Sequence, residues 1–479
     1  MSDPSIQTSS PAGDPADPSI QATPLLNNGA PPSIPTDAPA VGGRSAKSAL
    51  FIVFLVVVID LLGFGIVLPL LPRYGEQYVG SWLGNPATAE AAHQHDWRVG
   101  AIVGALLSIF SLMQFLFMPI WGRLSDRVGR RPILLIGLGG SVVFYALFGY
   151  ASDLPAAEWA GLALLLLFVS RLGAGVAGAT IATAQAVIAD CTPPERRKHG
   201  MALIGMAFGI GFTFGPLVAV ASLYWAPPGY QGVVGYCAAG LSLIALVLGV
   251  VLLPETRRFG AAPPLRRKLL DWAAARFALA SPAVGPVVLA FFLTTLGFAM
   301  FEVTLSLLFK DTLDISDKNN GLLFAYIGLV LALAQGVLYR RLAKRVSEPT
   351  FMAAGMVLMG VGVASLAAAN ALANANLLPF GAMLGLVMAI LTVAVVGFAL
   401  LTPSAQALVS RRSDPEKQGE ILGVNQSASA MARILGPMIS LPLYFATPGH
   451  LLPYLVGGGL MLLMLALIPR IRRGEDVPG

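Results

Sequence analysis

The sequence predicts an all-α membrane protein of about twelve transmembrane helices, built as two six-helix pseudo-repeats. Three observations carry this. Of its 479 residues, 56% are hydrophobic and 12% charged, with a mean hydropathy of +0.74, against roughly 25% charged in a soluble domain. Apolar runs near the length of about 20 residues that crosses a bilayer recur along the chain. Lys and Arg sit almost wholly in alternate connections. Of 31 such residues, 25 fall in the tails and loops placed inside, whereas Arg73, Arg98, Lys310 and Lys318 are outside and Arg171 and Arg433 lie within spans. This bias predicts a multi-pass protein of the inner (plasma) membrane with both termini cytoplasmic. The formal net charge of +6 is therefore a topology signal, and no nucleic-acid partner is expected.

Taken in order, residues 1–47 are rich in Pro, Ser, Ala and Asp and bury too little to fold, so a disordered cytoplasmic tail is expected. It lacks the basic start and continuous apolar core of a cleaved leader. The N-terminal six-helix bundle then occupies 48–254. Its first span, from about Ala49 to Pro72, carries DLLGFGIVLPLLP from Asp60; a polar loop with His93 and His95 follows. A second span, about Val99 to Trp121, leads into Gly122–Pro132, which reads GRLSDRVGRRP. Four arginines and Asp126 cannot rest in hydrocarbon, and the Gly and Pro punctuation predicts a short hairpin loop on the inner surface. Further spans run over about 133–150, 160–190, 201–224 and 233–253.

A basic connector over 255–283 follows. Its PLRRKLLDWAAARFALA stretch interleaves Leu265, Leu269, Trp272 and Phe277 with four cations, the pattern of a helix lying on the membrane surface. The C-terminal bundle covers 284–470 with spans near 285–309, 320–339, 350–372, 377–408, 419–446 and 451–470, and 471–479 is a cytoplasmic tail. The two halves correspond. Adding 221 carries Ala184, Gln185 and Ala186 onto Ala405, Gln406 and Ala407, and Gly215 and Pro216 onto Gly436 and Pro437; RLSDRV from Arg123 recurs as RLAKRV from Arg341, with Lys344 in place of Asp126. Parallel repeats of this kind build a substrate site at the midplane between two rocking bundles.

Charge near the bilayer centre costs about 2.5–3.5 kcal/mol on insertion scales, and Asp60, Arg171, Glu302 and Arg433 carry it here. Each is a functional candidate or one partner of an ion pair that locks helices together. Asn425, Ser429 and Arg433, spaced by four, form one stripe of the eleventh span; with Gln114, Gln335 and Gln426 they line a substrate cavity or bond neighbouring helices. Gly205, Gly209, Gly211 and Gly215 make a smooth face on the fifth span, which Pro216 can bend. Cys191 and Cys237 imply no disulfide framework. His93 and His95 belong to a solvated loop, and no metal, cofactor or catalytic constellation is expected.

The loop motif resembles G-x-L-x-D-R-x-G-R-R between the second and third helices of the major facilitator superfamily. Asp60 in DLLGFG and Arg171 in RLGAGVAGATIATAQAVIAD resemble signatures of its drug:proton antiporter branch, and the run through GMAFGIGFTFGP is most similar to the tetracycline:proton antiporter-like group. The resemblance implies export of a small amphipathic compound in exchange for protons, driven by the proton gradient in a monomer. It makes Asp60 the proton acceptor, Arg171 its modulator and Glu302 a second candidate. Gly122, Asp126, Arg127, Arg130 and Asp190 would form a cytoplasmic gate, with Arg130 on Asp190 and Asp126 on amides near Gly419 and Glu420. At the end of the fifth-span motif Ala219 and Val220 replace a glycine pair, so antiport is favoured and not settled. A metabolite importer or symporter on the same fold, and a non-transporting receptor, stay open.

Overall fold

The computed structural model describes residues 43–86, 88–192, 197–227, 229–256, 276, 278–413 and 418–474. The tail over 1–42, most of the basic connector and residues 475–479 lie outside it, so the surface helix expected near residue 270 is outside the described residues.

The N-terminal half comprises α1 (Gly43–Val67), α2 (Leu71–Leu83), α3 (Ala89–Val128), α4 (Arg130–Asp153), α5 (Ala156–Gly178), α6 (Ile181–Cys191), α7 (Arg197–Trp225) and α8 (Val233–Leu252). The C-terminal half comprises α9 (Gly285–Leu313), α10 (Asp317–Leu333), α11 (Glu348–Asn374), α12 (Phe380–Arg412), α13 (Gln418–Phe445) and α14 (Leu452–Leu463). Ten of the described helices are long and apolar enough to cross a membrane. Two more have span length. The described apolar part of α7 is Gly209–Trp225, and α13 runs 28 residues but is diluted by Asn425, Gln426, Ser427, Ser429 and Arg433.

Several connections differ from expectation. Gly122–Pro132 is not a loop: α3 runs through Val128, α4 starts at Arg130, and Gly129 at φ 118° makes the break alone. A Cβ there would stand 2.5 Å from Glu255 Oε2, so both the backbone angle and the space call for glycine. His93 and His95 fall within α3 instead of a loop. The first span ends at Val67, where Pro69 and Pro72 limit its continuation before α2. The long fourth span is divided between α5 and α6 at Ala179 and Thr180, and α10 passes through a π-helical turn over Ala334–Tyr339.

Within the first half α1 packs on α7 and α8, and α4 on α5 and α8; within the second, α11 packs on α12 and α9 on α13. The halves meet along two seams, α3 on α13 and α7 on α10. Close backbone approach makes both seams. At the first, a Cβ on Gly100 would lie 2.6 Å from the Leu441 carbonyl and one on Gly104 2.7 Å from that of Pro437; at the second, one on Gly321 would lie 2.5 Å from Val220 and one on Gly328 2.7 Å from Thr213 Cα.

Candidate functional site

The charged residues of the spans do not form one cluster. Asp60, on α1, accepts a hydrogen bond of 2.9 Å from the Ser141 hydroxyl of α4. Arg171, on α5, is 2% exposed and stands over three rings, with Cζ 5.0 Å from the Phe148 centroid, 5.7 Å from Tyr145 and 6.0 Å from Phe110. Its Nε and Nη2 are buried without a hydrogen-bond partner among the described residues. Tyr145 lies within electrostatic range of both Asp60 and Arg171, and among the described contacts no direct ion pair joins the two charges. Sequence reasoning missed Ser141, Tyr145 and Phe148 because nothing distinguishes them within an apolar helix.

In the other half Glu302 of α9 and Arg433 of α13 lie within Coulombic range of one another. Arg433 Nη1 donates to Ser429 Oγ at 3.3 Å, as their spacing of four on one helix requires. Arg433 remains exposed although it lies well inside α13, whereas Asn425 is buried with its Oδ1 unpartnered among the described residues. Of the other polar candidates, Gln114 donates to the Gly178 carbonyl at 3.4 Å, Gln335 is half-buried in the π-helical turn and Gln426 is exposed.

The glycines of α7 divide into two kinds. Gly211 and Gly215 press on α1: Cβ atoms there would meet Leu61 Cβ at 2.8 Å and Gly65 carbonyl carbon at 2.6 Å. Gly209 has nothing within 4 Å among the described residues, Gly205 lies in the first turns of the same helix, and Pro216 follows within it.

At the arginine-rich end Arg130 Nη1 pairs with Asp126 at 2.5 Å and Arg130 Nε with Asp190 at 3.2 Å; its Nη1 also donates to Ser125. The Arg130 and Arg131 amides donate to the Glu255 carboxylate at 2.9 and 3.1 Å, where the positive start of α4 favours an anion. Glu255 was not singled out from sequence, though its place in PETRR near a helix end is a usable signal. Gly122 and Arg127 lie on the last turns of α3. The contact expected between Asp126 and the start of α13 near Gly419 and Glu420 lies outside the described contacts. At this end the continuation of α10 opens a recess of about 810 Å³ lined by Arg340, Arg341, Lys344 and Arg345 with Gly336, Val337 and Leu342.

Residues 50–437, and in an overlapping second match 287–478, fit the family described as Major Facilitator Superfamily. The tetracycline resistance protein, class C, of Escherichia coli is 30% identical over 435 residues, covering 90% of this chain and 98% of that protein. Major facilitator superfamily domain-containing protein 10 of Mus musculus is 28% identical, covering 92% and 97%. Among solved structures, the human organic anion transporter MFSD10 aligns with a TM-score of 0.59 at 25% identity, covering 88% and 99%. The D-xylose-proton symporter, at TM-score 0.69, 16% identity and coverage of 90% and 99%, shares the fold. The chain belongs to the Major Facilitator Superfamily and is a multi-pass membrane transporter of the tetracycline-resistance-like kind.

Proposed function

We propose that this transporter exports small amphipathic compounds in exchange for protons, by alternating access, with Asp60 as the proton acceptor and Arg171 as the charge that modulates it. The observation that carries the reading is the placement of Asp60 and Arg171 in one bundle without a direct ion pair. A carboxylate bonded to a neutral hydroxyl and a guanidinium held only by rings are free to change partners when helices move. A permanent structural pair would not separate them. The resemblance to tetracycline resistance proteins supports efflux. Glu302 facing Arg433 supplies a second acid–base pair, for a proton or a charged substrate. Both halves of the cycle need only protons, substrate and bilayer, so no cofactor beyond the proton gradient enters and a monomer suffices.

One observation favours a second reading of the substrate. The spans hold two guanidinium groups, Arg171 and Arg433, and the similar human MFSD10 is described as an organic anion transporter; an anionic compound would then be the cargo. One experiment tests both. The purified protein is reconstituted in liposomes loaded with a pH dye, and tetracyclines and organic anions are added singly. Coupled antiport gives substrate-dependent proton flux that disappears in Asp60→Asn. Flux that survives Asp60→Asn and disappears in Glu302→Gln moves the proton site, and accumulation in place of exchange overturns export.

A further inference from the structure

We propose that Arg73 is the outer gate of the transport cycle, a guanidinium in the first turn of α2 that clasps α9 and α10 of the second bundle and seals the end opposite the arginine-rich junction of α3 and α4. Arg73 was legible only as one of four outside cations. It is 5% exposed. Nε donates to the Ser306 carbonyl at 3.0 Å and its hydroxyl at 3.1 Å, and Nη1 donates at 2.8 Å both to the Ile315 carbonyl and to Asp317 Oδ1. The Ser306 hydroxyl donates back to the Pro69 carbonyl at 2.5 Å, which also accepts from Asn320 Nδ2 at 2.9 Å. One buried network thus joins the α1–α2 turn of the first bundle to α9 and α10 of the second.

Its position gives it a function. Glu302, Ser306 and Lys310 follow at intervals of four and share one face of α9. Ser306 and Lys310 meet the first bundle, the latter through Glu76 at 2.6 Å. Glu302 is therefore one turn, about 6 Å, below the clasp, and opening the clasp is what would give Glu302 access to that side. The bonds are also built to come apart. Among the described residues Arg73 Nη2 and Asn320 Oδ1 are buried without partners, so the network is incompletely satisfied, and each of its groups regains full hydrogen bonding once water enters.

The repeat does not demand this arrangement. The alignment that pairs Leu62 with Leu296 sets Leu307 opposite Arg73, and the offset of 221 sets Asp96 opposite Asp317; among the described residues Asp96 pairs with the neighbouring His95, at 3.4 Å. The clasp is thus an addition to one end of one half.

The inference deepens the alternating-access reading, and its test needs neither substrate nor protons, so it can fail independently. With Cys191 and Cys237 replaced by Ser, spin labels at Trp82 and Leu377, 55% and 65% exposed on the two bundles at this end, report the separation by double electron–electron resonance in lipid nanodiscs. Hydrogen bonds to charged groups contribute about 1.5–3 kcal/mol each, so Arg73→Ala should lower the closed-to-open ratio by about tenfold or more. Asp317→Ala, which leaves Arg73 its two carbonyl acceptors, should shift it in the same direction and less. Glu76→Gln, in the more exposed pair with Lys310, should change it less than about twofold. Folded Arg73→Ala and Asp317→Ala proteins with the parent's distance distribution would overturn the proposal, as would an equal shift in Glu76→Gln.

Discussion

Arg171 sets a balance that a single substitution can weigh. Three rings at 5.0–6.0 Å from its guanidinium lie at the outer limit of a cation–π contact, which contributes about 0.5–1 kcal/mol at ordinary sites. Against their sum of roughly 2 kcal/mol stands an insertion penalty of about 2.5–3.5 kcal/mol, together with two donors left without partners. The charge is then neutral to mildly destabilising, and the proposed role in transport, not stability, would account for it. Arg171→Met, apolar and of similar length, should melt no lower than the parent in detergent, with a gain of up to about 1 kcal/mol, while losing proton-coupled flux. A melting point lowered by a structural pair's worth, about 3 kcal/mol or more, would make Arg171 a helix lock. The four span charges were legible in sequence because hydrocarbon makes any charge conspicuous. The partners of Asp60 and Arg171 were not, since a serine or tyrosine in an apolar helix is ordinary, and Arg73 at a span end looks like any interfacial cation.

The helices show why a motif's residues need not act alike. The smooth face of α7 was legible from its glycines, but not which of them meets a neighbour. Gly211 and Gly215 face backbone and Cβ atoms of α1 that cannot swing aside, and Gly209 faces open space. Gly215→Ala therefore overpacks the crossing, at about 1–3 kcal/mol, and should lower the melting temperature and the yield of folded protein. Gly209→Ala should leave both unchanged within error, and a Gly209 variant as unstable as Gly215→Ala would show that the whole stripe is packed. Helix ends were less legible than helix cores. The hairpin expected at Gly122–Pro132 contracts to Gly129 because arginine is a good helix former, and charge density, which reports the membrane boundary, says nothing of backbone regularity. The divided fourth span was invisible because both segments are apolar.

The two seams relate the whole molecule to its repeat. The offset of 221, found from polar, Gly and Pro residues, also carries Gly100 onto Gly321 and Val220 onto Leu441. Gly100 meets Leu441 across α3 and α13, and Gly321 meets Val220 across α7 and α10, so the pseudo-repeat exchanges one seam for the other. Each of these glycines lies in the part of its helix near Arg73, and the recess lined by Arg340 and Arg345 opens at the other end. The halves thus make close backbone contact at the end that carries the clasp. If the bundles rock about these seams, filling the glycine notches must open the clasped end. Gly104→Leu and Gly328→Leu place side chains where a Cβ alone would already be 2.7 Å from Pro437 and Thr213 backbone atoms. Their separation should lengthen the Trp82–Leu377 distance and shorten one between labels at Val128 and Leu342, 51% and 37% exposed at the opposite end. Coupled changes of opposite sign would make the seams a fulcrum. Lengthening at both ends would mean that the bundles separate as bodies without rocking, and the glycines would then serve only to hold the halves together.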